Sequence, residues 1–94
     1  MLVEKQLDVS EMAAPEPLVE SIRALEDLLQ GEWLHLFHRM KPCKLYDFLH
    51  SHGYHSITCE GSTVACEVFI WKAGDHDAEL AAQTSANKLK PWKD

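Results

Sequence analysis

Two prolines one residue apart, Pro15 and Pro17, fix where this chain must change its local structure. Proline locks φ and lacks a backbone N–H, so neither residue suits a helix interior or a central strand. The first turn of a helix accommodates both, because its N–H groups have no partner within the helix. Behind the prolines, Leu18, Ile22, Leu25 and Leu29 recur at the spacing of one apolar helical stripe. The pattern predicts a helix over residues 15–30, with Gly31 placed to end it in a left-handed cap. Ahead of the prolines, residues 4–9 read as a strand with Leu7 and Val9 on one side.

The rest of the chain continues the alternation. Residues 32–38, Glu-Trp-Leu-His-Leu-Phe-His, alternate as a strand does, and Pro42 restarts the chain. Residues 43–52 form a second predicted helix, with Leu45, Phe48 and Leu49 inward and Gly53 as its stop. Residues 54–60 and 64–72 are strands around Glu60-Gly61-Ser62-Thr63. The order is β-α-β-α-β-β. A helical crossover between the first two strands makes them parallel and puts both helices on one side. The expected fold is an α/β (α+β) two-layer sandwich on a mixed four-stranded sheet. Residues 1–73 form the domain. Residues 74–94 are a C-terminal tail, either disordered or carrying a short helix over 77–90 with Asp77 as N-cap.

A chain of 94 residues fits one domain, and 46% apolar residues is a globular rather than a disordered composition. No apolar run approaches the ~20 residues that span a bilayer. The N-terminus lacks the pattern of a signal peptide. Three cysteines, Cys43, Cys59 and Cys66, are an odd count suited to reduced thiols. A cytoplasmic location without membrane contact is expected. The net charge of −6 argues against nucleic acid as a partner, since a basic face is the usual footprint. The acidity is local: residues 1–32 carry eight acids and two bases, hence −6, whereas residues 33–72 carry three acids and four bases, hence +1.

Several short segments follow one another in a set order: Leu7-Asp8, then Ala14-Pro15-Glu16-Pro17, then Leu28-x-x-Gly31-Glu32, then Gly53-Tyr54. Over residues 6–72 this resembles the TusA/SirA-like superfamily of sulfur carriers, in particular an uncharacterised sister family without the carrier cysteine. In the carriers a cysteine immediately precedes Pro-x-Pro. Here that position is Ala14, which has no sulfur, nucleophile or metal ligand. The resemblance implies a TusA-like fold and links to sulfur relay or redox regulation, with persulfide carriage at position 14 out of reach.

A hairpin turn centred on residues 61–64 would set Cys59 opposite Cys66, Ile57 opposite Val68 and His55 opposite Ile70, all under the helices. A disulfide between Cys59 and Cys66 is conceivable in that register. The opposite face would gather Trp33, His35, Phe37, Tyr54, Phe69 and Trp71. Uncovered antiparallel faces are usually polar, and large apolar patches mark interfaces. This face is therefore expected to dock a protein partner or a second copy, unless residues 77–90 or Trp92 fold back over it.

Cys43 is the thiol candidate, because Arg39, Lys41, Lys44 and a helix N-terminus all favour a thiolate. His38, Arg39, Lys41 and Lys44 are an anion-binding candidate in the same loop. His50, His52 and His55 are a weak metal candidate around the Gly53 stop, without the spacing of a known zinc motif. No phosphate loop, nucleophile elbow or other enzyme signature is present, and no cofactor is expected. The leading expectation is a small non-enzymatic module that docks a protein or small ligand. The alternatives are a sulfur-transfer or thiol-redox protein using Cys43, and a histidine metal-binding accessory.

Overall fold

The computed structural model describes residues 2–93. The chain runs β1 (Val3–Asp8), α1 (Glu16–Glu26), β2 (Glu32–His38), α2 (Cys43–Ser51), β3 (Tyr54–Glu60), β4 (Cys66–Lys72) and α3 (His76–Ala86). The strands form one sheet in the order β1-β2-β4-β3. β1 and β2 are parallel; β4 is antiparallel to both of its neighbours. α1 and α2 pack Leu25, Leu45 and Leu49 onto Leu34, Leu36, Val68 and Ile70. This is the expected α/β sandwich on a mixed four-stranded sheet. No helix among the described residues is long and apolar enough to cross a membrane.

The prolines act as their chemistry requires. Pro15 is the N-cap of α1 and Pro17 lies in its first turn. Glu16 N–H donates to Ala13 O at 3.0 Å, and Val19 N–H donates to Pro15 O at 3.2 Å. The helix stops at Glu26, earlier than the apolar stripe suggests. Leu28 takes the next place in the core at 3% exposure, while Leu29, assigned inward from spacing, is 68% exposed. Gly31, at φ 84°, turns the linker into β2 rather than capping the helix.

The β3–β4 register differs from the expected one by a single residue. Cys59 faces Glu67, and Glu60 faces Cys66. The turn is longer than four residues: Gly61 N–H donates to Ala65 O at 3.1 Å. A Cβ at Gly61 would lie 2.0 Å from Val64 O, so the close approach needs glycine. The Glu67 carboxyl group reaches back to accept from Ser62 N–H (2.8 Å) and Ser62 Oγ (3.3 Å). A one-residue slip moves every side chain of a strand to the other face. Tyr54 accordingly leaves the aromatic face and donates its hydroxyl to Leu25 O at 3.0 Å on the α1 side. Cys59 and Cys66 belong to separate clusters on opposite faces, which removes the conceivable disulfide.

The aromatic face is also not bare. Asp75, rather than Asp77, caps α3 by accepting from Ala78 N–H at 3.2 Å, and its other oxygen accepts from Gly31 N–H at 2.7 Å. α3 then lays Ala78, Ala82 and Ala86 on Trp33, Phe69 and Trp71. Those three aromatics are at most 7% exposed, so they are core rather than a docking surface. Residues 74–92 thus share the packing of the preceding sheet. Replacing Ala82 by leucine is expected to overpack this layer and lower stability by about 1–3 kcal/mol in urea unfolding. The opposite change at exposed Leu80, to alanine, should move the midpoint little.

Candidate functional site

Two parallel strands end at the same edge of the sheet, so the segments that follow β1 and β2 meet there. Between them lies a cleft of about 370 Å³. One wall is the start of α1: Ala14, Pro15, Pro17, Leu18 and Ser21. The other is the β2–α2 connection, from His38 through Lys44, with Leu45 behind it. The thiol candidate Cys43 and all four anion candidates (His38, Arg39, Lys41 and Lys44) line this single cleft with Ala14.

The floor is apolar or internally satisfied. Pro17, Pro42 and Leu45 are buried. Buried Ser21 donates its hydroxyl to Pro17 O at 2.6 Å. His38 is 7% exposed, and its Nδ1 accepts from Met40 N–H at 3.2 Å. Burial first, and the adjacent Arg39 charge second, hold its pKa below the usual histidine value of 6.5. The imidazole is therefore neutral near pH 7 and presents Nε2 as a donor.

The rim is cationic. Arg39 and Lys44 are exposed, and Lys41 Nζ lies 5.9 Å from the centre of the Tyr46 ring. No side chain caps the N-terminus of α2, and its first turn contains no acid. The positive end of that helix is thus left without an anionic group of its own. Cys43, the first residue of α2, is exposed, whereas Cys59 and Cys66 are at most 1% exposed. Burial pushes the Cys66 thiol up to about 11 and raises Cys59 as well. Only Cys43 is both accessible and beside cations.

The other candidates are dispersed. Of the proposed interaction face, His35 and Phe37 stay partly exposed. His35 stacks between Phe37 and Phe69, with ring centroids at 4.2 Å on each side. Its Nε2 lies 2.6 Å from Glu67 Oε1, and its Nδ1 faces Glu4 Oε1 at 3.3 Å without hydrogen-bond geometry. His50, His52 and His55 do not converge. His50 is exposed, His52 stacks on Phe48 at 4.1 Å, and His55 lies across the sheet beside Trp71. Among the described residues no three His, Cys, Asp or Glu side chains are placed to hold a metal ion.

Sequence reasoning singled out the motif prolines and the His38–Lys44 loop but missed Ser21 and Met40 as parts of the lining. Ser21 was the available signal, a small polar residue between the apolar positions Leu18, Ile22 and Leu25 and four residues from Pro17. Met40, 58% exposed beside the cleft, had no such signal.

No protein-family model matches the chain, and neither a curated protein nor a solved structure matches it at a significant level.

Two outcomes follow from this geometry. Native protein treated with iodoacetamide should be labelled at Cys43, with Cys59 and Cys66 reacting only after unfolding; peptide mass spectrometry reads the order. A histidine with a lowered folded-state pKa makes the unfolded chain the first to bind a proton as pH falls through 6.5. Stability should therefore fall from pH 7 towards pH 5, and His38→Gln should flatten that slope in denaturant melts at several pH values.

Proposed function

We propose that this chain is a small non-enzymatic binding module whose ligand site is the cleft between the start of α1 and the β2–α2 connection. One observation carries the reading: Ala14, His38, Arg39, Lys41, Cys43 and Lys44 converge on a single concave surface. Its volume of about 370 Å³ lies within the usual range for small-molecule pockets. Apolar walls with cations at the mouth suit a ligand with an apolar body and one anionic end, such as a carboxylate. The same chemistry is offered by a protein chain that presents a terminal or side-chain carboxylate on an apolar stem. The TusA/SirA resemblance supports the placement, because Ala14 holds the position before Pro-x-Pro on this cleft. With alanine there, the reading is recognition rather than turnover. Free thiols at Cys43, Cys59 and Cys66 support a reducing, cytoplasmic setting.

A second reading rests on Cys43. The accessible thiol lines the same cleft as Ala14, so a sulfur-transfer or thiol-redox role would use Cys43 in place of the missing carrier cysteine.

Octanoate and inorganic phosphate separate these cases in titrations followed by amide NMR. Octanoate should shift Ala14, Met40 and Cys43 resonances, and phosphate, lacking an apolar part, should bind more weakly. Arg39→Ala combined with Lys44→Ala should weaken octanoate by about tenfold, or 1.4 kcal/mol. Cys43→Ser should leave octanoate binding intact. Shifts confined to residues outside the cleft would overturn the binding reading. Loading of sulfur from a persulfide donor, lost in Cys43→Ser, would favour the second reading.

A further inference from the structure

β3 is an outer strand, so one row of its backbone groups faces away from the sheet. Such a row is a template for pairing with another chain unless something guards it. Here the C-terminal segment lies along it. Glu60 N–H donates to Lys90 O at 2.8 Å, Trp92 N–H donates to Thr58 O at 3.1 Å, and Cys59 faces Pro91 in an antiparallel bridge. Two side chains clip this strap across the strand from opposite sides. Leu89 packs into the cluster under α3, and Trp92 packs against the cluster under α1 and α2. Pro91 at the centre has no N–H, so the strap offers no donor there.

The two edges of the sheet are guarded differently. β1 carries Glu4, Lys5 and Asp8 along its length, charges that discourage pairing with another strand. β3 reads Tyr-His-Ser-Ile-Thr-Cys-Glu, with its one acid at the end. The peptide groups of Thr58 and Glu60 point to the strap, and backbone alternation aims those of Tyr54 and Ser56 at the same edge.

We propose that Lys90–Trp92 is a removable edge guard, and that its release lets β3 pair antiparallel with β3 of a second copy. A two-fold pairing centred on Ile57 sets Ser56 opposite Thr58 and Tyr54 opposite Glu60. It uses the outward row of both chains and brings no like charges face to face. The interface is isologous, as a closed dimer requires, and it joins two four-stranded sheets into one continuous sheet.

The test uses the full chain with both clips replaced, Leu89→Glu with Trp92→Glu. At low concentration the Glu60 amide should exchange with solvent at least about tenfold faster than in the parent. At rising concentration, light scattering should show a species of twice the chain mass. Adding Ser56→Pro, which removes an outward N–H without touching the β3–β4 ladder, should return that species to monomer. Three results would overturn the proposal: an Glu60 amide still protected in the double variant, a monomer at all concentrations despite fast exchange, or a dimer insensitive to Ser56→Pro. Loss of the folded circular-dichroism spectrum in the double variant would also overturn it, because the strap would then be core rather than guard.

Discussion

Every layer of this protein meets at β4, whose residues from Cys66 to Trp71 are all buried. Cys66, Val68 and Ile70 face the helices α1 and α2, while Phe69 and Trp71 face α3. Each large side chain buried there contributes about 1.5–3 kcal/mol relative to exposure. The chain must therefore cover the sheet twice, with aliphatic side chains on one side and a helix of small residues on the other. Glu67 is the polar member of this buried strand. Its oxygens are satisfied by Ser62 and His35, and that contact ties the turn to the ladder. A buried carboxyl group is tolerated only with such partners, so β4 pairs in the one register that supplies them.

Local chemistry made most of the elements legible. Pro15 and Pro17 located α1, Gly53 ended α2, and a helix between two strands required their parallel pairing. What was not legible depended on contacts distant in sequence. Nothing in Gly61-Ser62-Thr63-Val64-Ala65 distinguishes a four-residue turn from a longer one; the difference lies in the Glu67 carboxyl group reaching Ser62. That single residue moved Tyr54 to the α1 face and parted Cys59 from Cys66. The cover on the second face had a visible signal, because Cys-Glu-Val-Phe-Ile-Trp is nearly continuous in its apolar residues, as a doubly covered strand is. α3 itself was faint, since alanines at 78, 82 and 86 give little amphipathic contrast even though they fit flat against tryptophan.

The candidate site was more legible than the sheet faces. It depends on where strands end, and strand ends survive an error in register. β1 and β2 run side by side to one edge, which brings Ala14 and the loop from His38 to Cys43 together. Concave sites beyond the carboxyl ends of parallel strands recur in open α/β sheets for the same reason. The Cys43 thiol lines the same cleft as Ala14, at the start of α2 rather than in the loop that leads into α1. His38 is buried in the lining of the cleft, and its neutral imidazole adds no charge there.

The cleft is a positive opening on a negative molecule. The chain as a whole carries −6, with eight of its 15 acids in residues 1–32, while Arg39, Lys41 and Lys44 line the mouth. At physiological salt a charge is felt over about 8 Å. An approaching anion meets a molecule of net negative charge, and feels the cations of the mouth only when it is almost in contact. A compact anion satisfies the mouth and ends there. A long polyanion would carry its remaining charges beyond the mouth, where the net charge of −6 opposes them. For the ligand site proposed above, this arrangement of charge would act by size, favouring small acids over extended ones before any detail of fit is consulted.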